Sequence, residues 1–94
     1  MKNKYDINEF VKVTTEQTVI QGVVERVKSK RKQLKITQKQ LSMRSGVTYP
    51  SIRRFETTGE ISFTSLLKIA KVLNCLEDFN FLFDNEVVTN LKDY

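Results

Sequence analysis

Histidine is absent from the 94 residues, and Cys75 is the only cysteine. The commonest general base and the commonest metal ligand are therefore missing, and the usual zinc sites with them. The three glycines are scattered, so there is no glycine-rich phosphate loop. No carboxylate pair stands out for acid–base work. No catalytic residue, metal site or cofactor is expected, and an enzyme would need a catalytic pair that is not evident. Cys75, inside the apolar run "IAKVLNCL", reads as a packed thiol. A lone cysteine forms no internal disulfide and suits a reducing compartment.

The remaining chemistry is that of binding. From Arg26 to Arg54 there are ten lysines and arginines and no acid, whereas Phe55 to Tyr94 holds seven acids and three bases. A basic span of this kind repels itself, and a polyanion that neutralises it is the simplest account. The span lacks the wide apolar face of an interfacial helix. No apolar run approaches the ~20 residues that cross a bilayer, and the N-terminus lacks a secretory h-region. A cytoplasmic protein with a nucleic-acid partner and no membrane is expected. At the end of the basic span lies "VTYPSIRRFE", residues 47–56, with Arg53 and Arg54 side by side. An arginine can donate two hydrogen bonds to guanine O6 and N7, worth roughly 1–3 kcal/mol of discrimination.

The elements that must position these residues read as nearly all α, because proline and glycine are few and apolar residues recur at helical spacing. Residues 1–13 fit either a helix face (Ile7, Phe10, Val11) or a short strand. Thr14 to Gln17 fits a capping box, starting a long helix to about Gln33 with the stripe Ile20, Val23, Val24, Val27 and later Leu34. A second box at Thr37 to Gln40 starts a short helix to about Arg44 that carries Leu41 inward. Gly46 in "SGV" can take the positive φ of a turn. Thr48 caps a third helix ending near Thr57, followed by the loop "TTGE". Ser62 caps a fourth, with Phe63, Leu66, Leu67, Ala70 and Leu73 inward. "LEDFNFLF" predicts a last short helix carrying Leu76, Phe79, Leu82 and Phe83, and Val87, Val88 and Leu91 permit another turn or two. One domain over 1–94 is expected: an extension (1–14), a helical domain (15–84) and a tail (85–94).

The two short helices around "SGV", residues 37–57, have the form of a helix-turn-helix. One helix enters the major groove while the other crosses the backbone and sets its angle. Gly46 and Val47 supply the tight turn and apolar anchor, and Leu41, Ile52 and Phe55 the inner packing. On "KITQKQLSMRSGVTYPSIRRFE" and the following "FTSLLKIAKVL", about residues 18–84 resemble the DNA-binding domain of lambdoid phage repressors and the Cro/CI or XRE family. The resemblance implies a five-helix, lambda-repressor-like, all-α fold and binding to double-stranded DNA. The ending "GEISFTSLLKIAKVLNCLEDFNFLF" also resembles small regulators that accompany HipA-type kinase toxins as antitoxins.

By that resemblance Gln38 contacts a DNA phosphate, supported by Thr37 and the helix N-terminus beside it. Thr48, Tyr49, Pro50 and Ser51 form the exposed start of the recognition helix, Arg53 and Arg54 its next outward turn. Thr57 and Thr58 approach the backbone further along. Arg53 and Arg54 point about 100° apart, so one takes a base edge and the other a phosphate, in an order the sequence leaves open. Tyr49 either meets DNA or caps the turn. Lys39, with Lys28, Lys30, Lys32, Lys35 and Arg44, supplies steering charge, some of it on phosphates.

Arg31 interrupts the apolar stripe of the first helix, and Glu56 lies beside Phe55 at the apolar edge of the third. Opposite charges on inward faces should pair, since an unpaired buried charge is costly. The family pattern joins these positions in an inner salt bridge, so Arg31–Glu56 is expected to be structural. One small helix-turn-helix makes few contacts, and a homodimer on half-sites ~34 Å apart is the usual remedy. The phenylalanine-rich end, with Phe81 exposed, and "INEFVKV" are candidate dimer surfaces. Two functions follow: a repressor binding DNA as a homodimer, or an antitoxin that holds a HipA-like kinase and regulates its own operon.

Overall fold

The computed structural model describes residues 13–87. The helix-or-strand expectation for the N-terminal extension, and Val88 and Leu91 of the tail, lie outside that range. Within it the architecture is all-helical, with no strand among the described residues. It runs α1 (Glu16–Gln33), α2 (Gln38–Ser45), α3 (Tyr49–Thr58), α4 (Phe63–Val72) and a 3₁₀ helix (Leu76–Phe81).

Local chemistry explains most of the boundaries. Thr37, Thr48 and Ser62 each accept the N–H three residues on, from Gln40, Ser51 and Ser65, satisfying a donor that the first turn leaves free. The α1 box is one residue later than expected. Thr15 caps it, and Thr18, not Gln17, closes the box, its Oγ1 accepting from Thr15 N at 3.0 Å. A short hydroxyl does this with less side-chain entropy lost than a glutamine. Gly46 (φ 80°) ends α2 and Gly59 (φ 84°) ends α3, both in the left-handed region that glycine enters freely.

Leu41, Ile52 and Ile69, one each from α2, α3 and α4, are completely buried and meet at the centre. Burying each contributes roughly 1.5–3 kcal/mol. Ile36, Val47 and Leu73 close this cluster. α2 packs on both α3 and α4, α1 on α3, and the 3₁₀ helix on α4. Ile36 reaches the core because Lys35 takes φ 59° after α1 and the Ile36 N–H turns back to Arg31 O at 3.3 Å, folding an apolar residue under the helix end.

Several inward positions differ from expectation. In α4 the fully buried residue is Ile69, while Leu66 and Leu67 are half-buried. Phe63, the first residue of α4, is exposed, its ring meeting Phe79 in a T-shaped contact at 5.9 Å. On α1 only Val24 is buried; Ile20 is 38% exposed, and Leu34, which caps the helix, 47%. The 3₁₀ helix stops at Phe81, leaving Leu82 and Phe83 beyond it and exposed.

Candidate nucleic-acid interface

α3 divides its residues cleanly. Ile52, Phe55 and Glu56 are buried, while Pro50, Ser51, Arg53, Arg54, Thr57 and Thr58 are exposed. Pro50 follows the first helical residue, Tyr49, where no intrahelical N–H bond is lost and the fixed φ suits the helix. Thr48 is committed to the cap. Its hydroxyl accepts from Ser51 N at 3.3 Å and donates to Ser51 Oγ at 2.8 Å, so Ser51 keeps its own hydroxyl proton for an outside acceptor.

Tyr49 is half-buried and has two cations against its ring. Lys39 Nζ, from the first turn of α2, and the Arg53 guanidinium, one turn further along α3, each lie 5.5 Å from its ring centroid. The electron-rich ring faces attract both. Tyr49 therefore bridges the starts of α2 and α3 and gathers Lys39 and Arg53 on one flank.

Arg54 lies about 100° further round α3 and pairs with Glu60, its Nε donating at 2.9 Å to Glu60 Oε1 and its Nη2 to the same oxygen. Thr57 and Thr58 belong to the last turn of α3 rather than to a loop after it, because the helix runs on to Gly59. Their hydroxyls donate to Arg53 O and Arg54 O at 2.8 and 2.7 Å, so these protons face the helix and not an approaching phosphate.

Beneath this surface, Glu56 ties three helices together. Arg31 Nε and Nη2 donate to its two oxygens at 2.8 and 3.0 Å, and Arg31 Nη1 donates to Ile36 O at 3.0 Å. Gln38 Nε2 donates to Glu56 Oε1 at 2.8 Å. Burial by itself would raise the Glu56 pKa, but the hydrogen bonds from Arg31 and Gln38, then the charges of Arg31 and Lys28, hold it below the ordinary 4.5. Among the described residues no buried side-chain polar atom lacks a partner. The Gln38 side chain is thus turned inward, and the sequence carried no sign of this.

At the start of α2 the box uses the N–H groups of Thr37 and Gln40, at 2.8 and 3.0 Å. Those of Gln38 and Lys39 remain ahead of the helix, where its dipole favours an anion. Glu60 is the other participant that residue reasoning missed. Six residues from Arg54, it shares no helical face with it, and only the turn at Gly59 brings the two together. Among the described residues, no group of histidine, cysteine or acidic side chains could hold a metal, and no helix is long and apolar enough to cross a membrane.

The model of the helix-turn-helix family matches residues 27–79, more than half of the chain. The protein belongs to this family, of the XRE or Cro/CI type, whose members are DNA-binding transcription regulators and generally not enzymes. No curated protein and no solved structure matches the chain.

Proposed function

We propose that the chain is a sequence-specific repressor that binds duplex DNA as a homodimer, with α3 in the major groove, and that it works in the cytoplasm. The observation that carries this reading is the division of α3 into a buried apolar face and an exposed face bearing Pro50, Ser51, Arg53 and Arg54. A groove about 12 Å wide accepts one helix, and such a face offers it donors while the opposite face stays packed.

In this reading the free N–H groups of Gln38 and Lys39 meet one phosphate, with Lys39 and Arg53 beside Tyr49 adding charge. Ser51 and Tyr49 approach base edges near the start of α3. Gln38 acts on the phosphate through its backbone and, through its side chain, fixes the position of α2 against Glu56. Thr37 and Thr48 serve as caps that aim their helices, and Thr57 and Thr58 set the end of α3 close to the DNA backbone. Enrichment of bound sequences from random duplexes tests the reading: a palindromic consensus with half-sites about one helical turn apart is expected. Absence of any enrichment at moderate salt would overturn it.

The exposed Phe81 and Phe83, at 71% and 102% relative exposure, favour a second reading, an antitoxin-type module that holds a HipA-like kinase and regulates its own operon. Specific DNA binding that appears only with a co-expressed kinase neighbour would replace the first reading with this one.

A further inference from the structure

Arg53 and Arg54 do not occupy equivalent places. With about 100° between successive residues, the buried set Ile52, Phe55 and Glu56 puts Arg54 almost opposite the core. Arg53 falls on the flank beside Tyr49 and Lys39. A helix lying in the major groove points its outermost ridge at the groove floor and its flanks at the walls. On the DNA-reading role proposed above, Arg54 is therefore the arginine that reaches a base edge, and Arg53 faces a phosphate.

Yet Arg54 already holds an acceptor. Its Nε and Nη2, one edge of the guanidinium, both donate to Glu60 Oε1. That two-donor edge can also span guanine O6 and N7. Glu60 is carried there by a built turn. Gly59 reverses the chain at φ 84°. The Glu60 N–H donates to Thr58 Oγ1 at 3.1 Å, and that hydroxyl donates on to Arg54 O at 2.7 Å. We infer that Glu60 is a specificity-determining residue: an internal competitor that occupies the base-reading edge of Arg54 until a base with two acceptors displaces it. On nonspecific duplex Arg54 stays paired with Glu60 and adds nothing to phosphate binding. At a matched site it exchanges the carboxylate for the guanine edge.

The test is the salt dependence of binding to two duplexes, one carrying the selected site and one without it, for wild type, Glu60→Gln, Arg54→Ala and the double variant. In Glu60→Gln, Arg54 is free to take a phosphate. The slope of log K against log salt for the nonspecific duplex should steepen by about 0.9, one phosphate contact. The slope for the selected site should not change. The ratio of specific to nonspecific affinity should fall at low salt. In the Arg54→Ala background Glu60→Gln should leave the nonspecific slope where it was. An unchanged nonspecific slope in Glu60→Gln, or the same steepening without Arg54, overturns the role of Glu60 while leaving DNA reading intact. A wild-type protein that binds neither duplex overturns the reading beneath it.

Discussion

Glu56 is the residue whose removal should be felt most widely. Its carboxylate accepts from Arg31 on α1 and from Gln38 on α2 while it sits on α3. In Glu56→Ala the Arg31 guanidinium keeps only the Ile36 carbonyl, and removing one partner of a buried pair costs roughly 3–5 kcal/mol. Chemical denaturation should show that loss, and an unchanged midpoint would contradict it. The pH dependence has a defined sign. A carboxylate whose pKa is lower in the folded than in the unfolded state contributes stability above the unfolded value and loses it as pH falls through the folded one. The folded pKa of Glu56 lies below 4.5. The stability gap between wild type and Glu56→Gln should therefore be full at neutral pH and narrow only below about 4.5. A gap that closes between pH 7 and 6 would show that another group is responsible.

The two turn glycines give a comparison between connections. Both have φ near 80°, where a Cβ costs roughly 1–2 kcal/mol. At Gly46 an added Cβ meets nothing within 4 Å, whereas at Gly59 it would lie 2.2 Å from Ile20 Cγ2. Thermal melting should rank Gly59→Ala well below Gly46→Ala, because only the former also pushes α1 away from the end of α3. Equal losses would mean that Ile20 yields freely.

Helix starts at Thr37, Thr48 and Ser62 were legible in the sequence, because a cap is made within three residues and depends on nothing distant. So was the meeting of Arg31 with Glu56, since two inward charges have few other solutions. Ile36 and Ile69 were not. The first is delivered to the core by a left-handed Lys35 after α1, and the second is chosen by how α2 lies on α4. The partners of Gln38 and Arg54 were also hidden. Each depends on a rotamer or a turn that joins different elements, which spacing along one helix does not encode.

Over the entire chain, charge separates the middle from the C-terminal part. The acid-free stretch from Arg26 to Arg54 includes α2 and most of α3. The segment from Leu76 to Val87 carries Glu77, Asp78, Asp84 and Glu86 without a base. Phosphate repels that end, and its exposed Phe81 and Phe83 are better suited to a protein surface. Phe83 also holds φ 60°, a conformation that a bulky side chain adopts at a cost. For the homodimer proposed above, Phe81→Ser with Phe83→Ser should move the monomer–dimer midpoint to at least about tenfold higher concentration in sedimentation, equivalent to ~1.4 kcal/mol. Monomer melting should barely change, since neither ring is packed. An unaltered midpoint would place the self-contact elsewhere.

The Glu56 knot also limits what can be borrowed from this protein. A designer wishing to graft the reading unit onto another scaffold would naturally excise residues 37–59, the two short helices and their turns. That fragment carries the carboxylate and Gln38 but leaves behind Arg31 and the Ile36 carbonyl. The recipient would inherit a buried anion without its counterion. The smallest portable cassette therefore begins on α1, upstream of Arg31, and a graft that omits this piece should be made with a neutral, apolar residue at position 56.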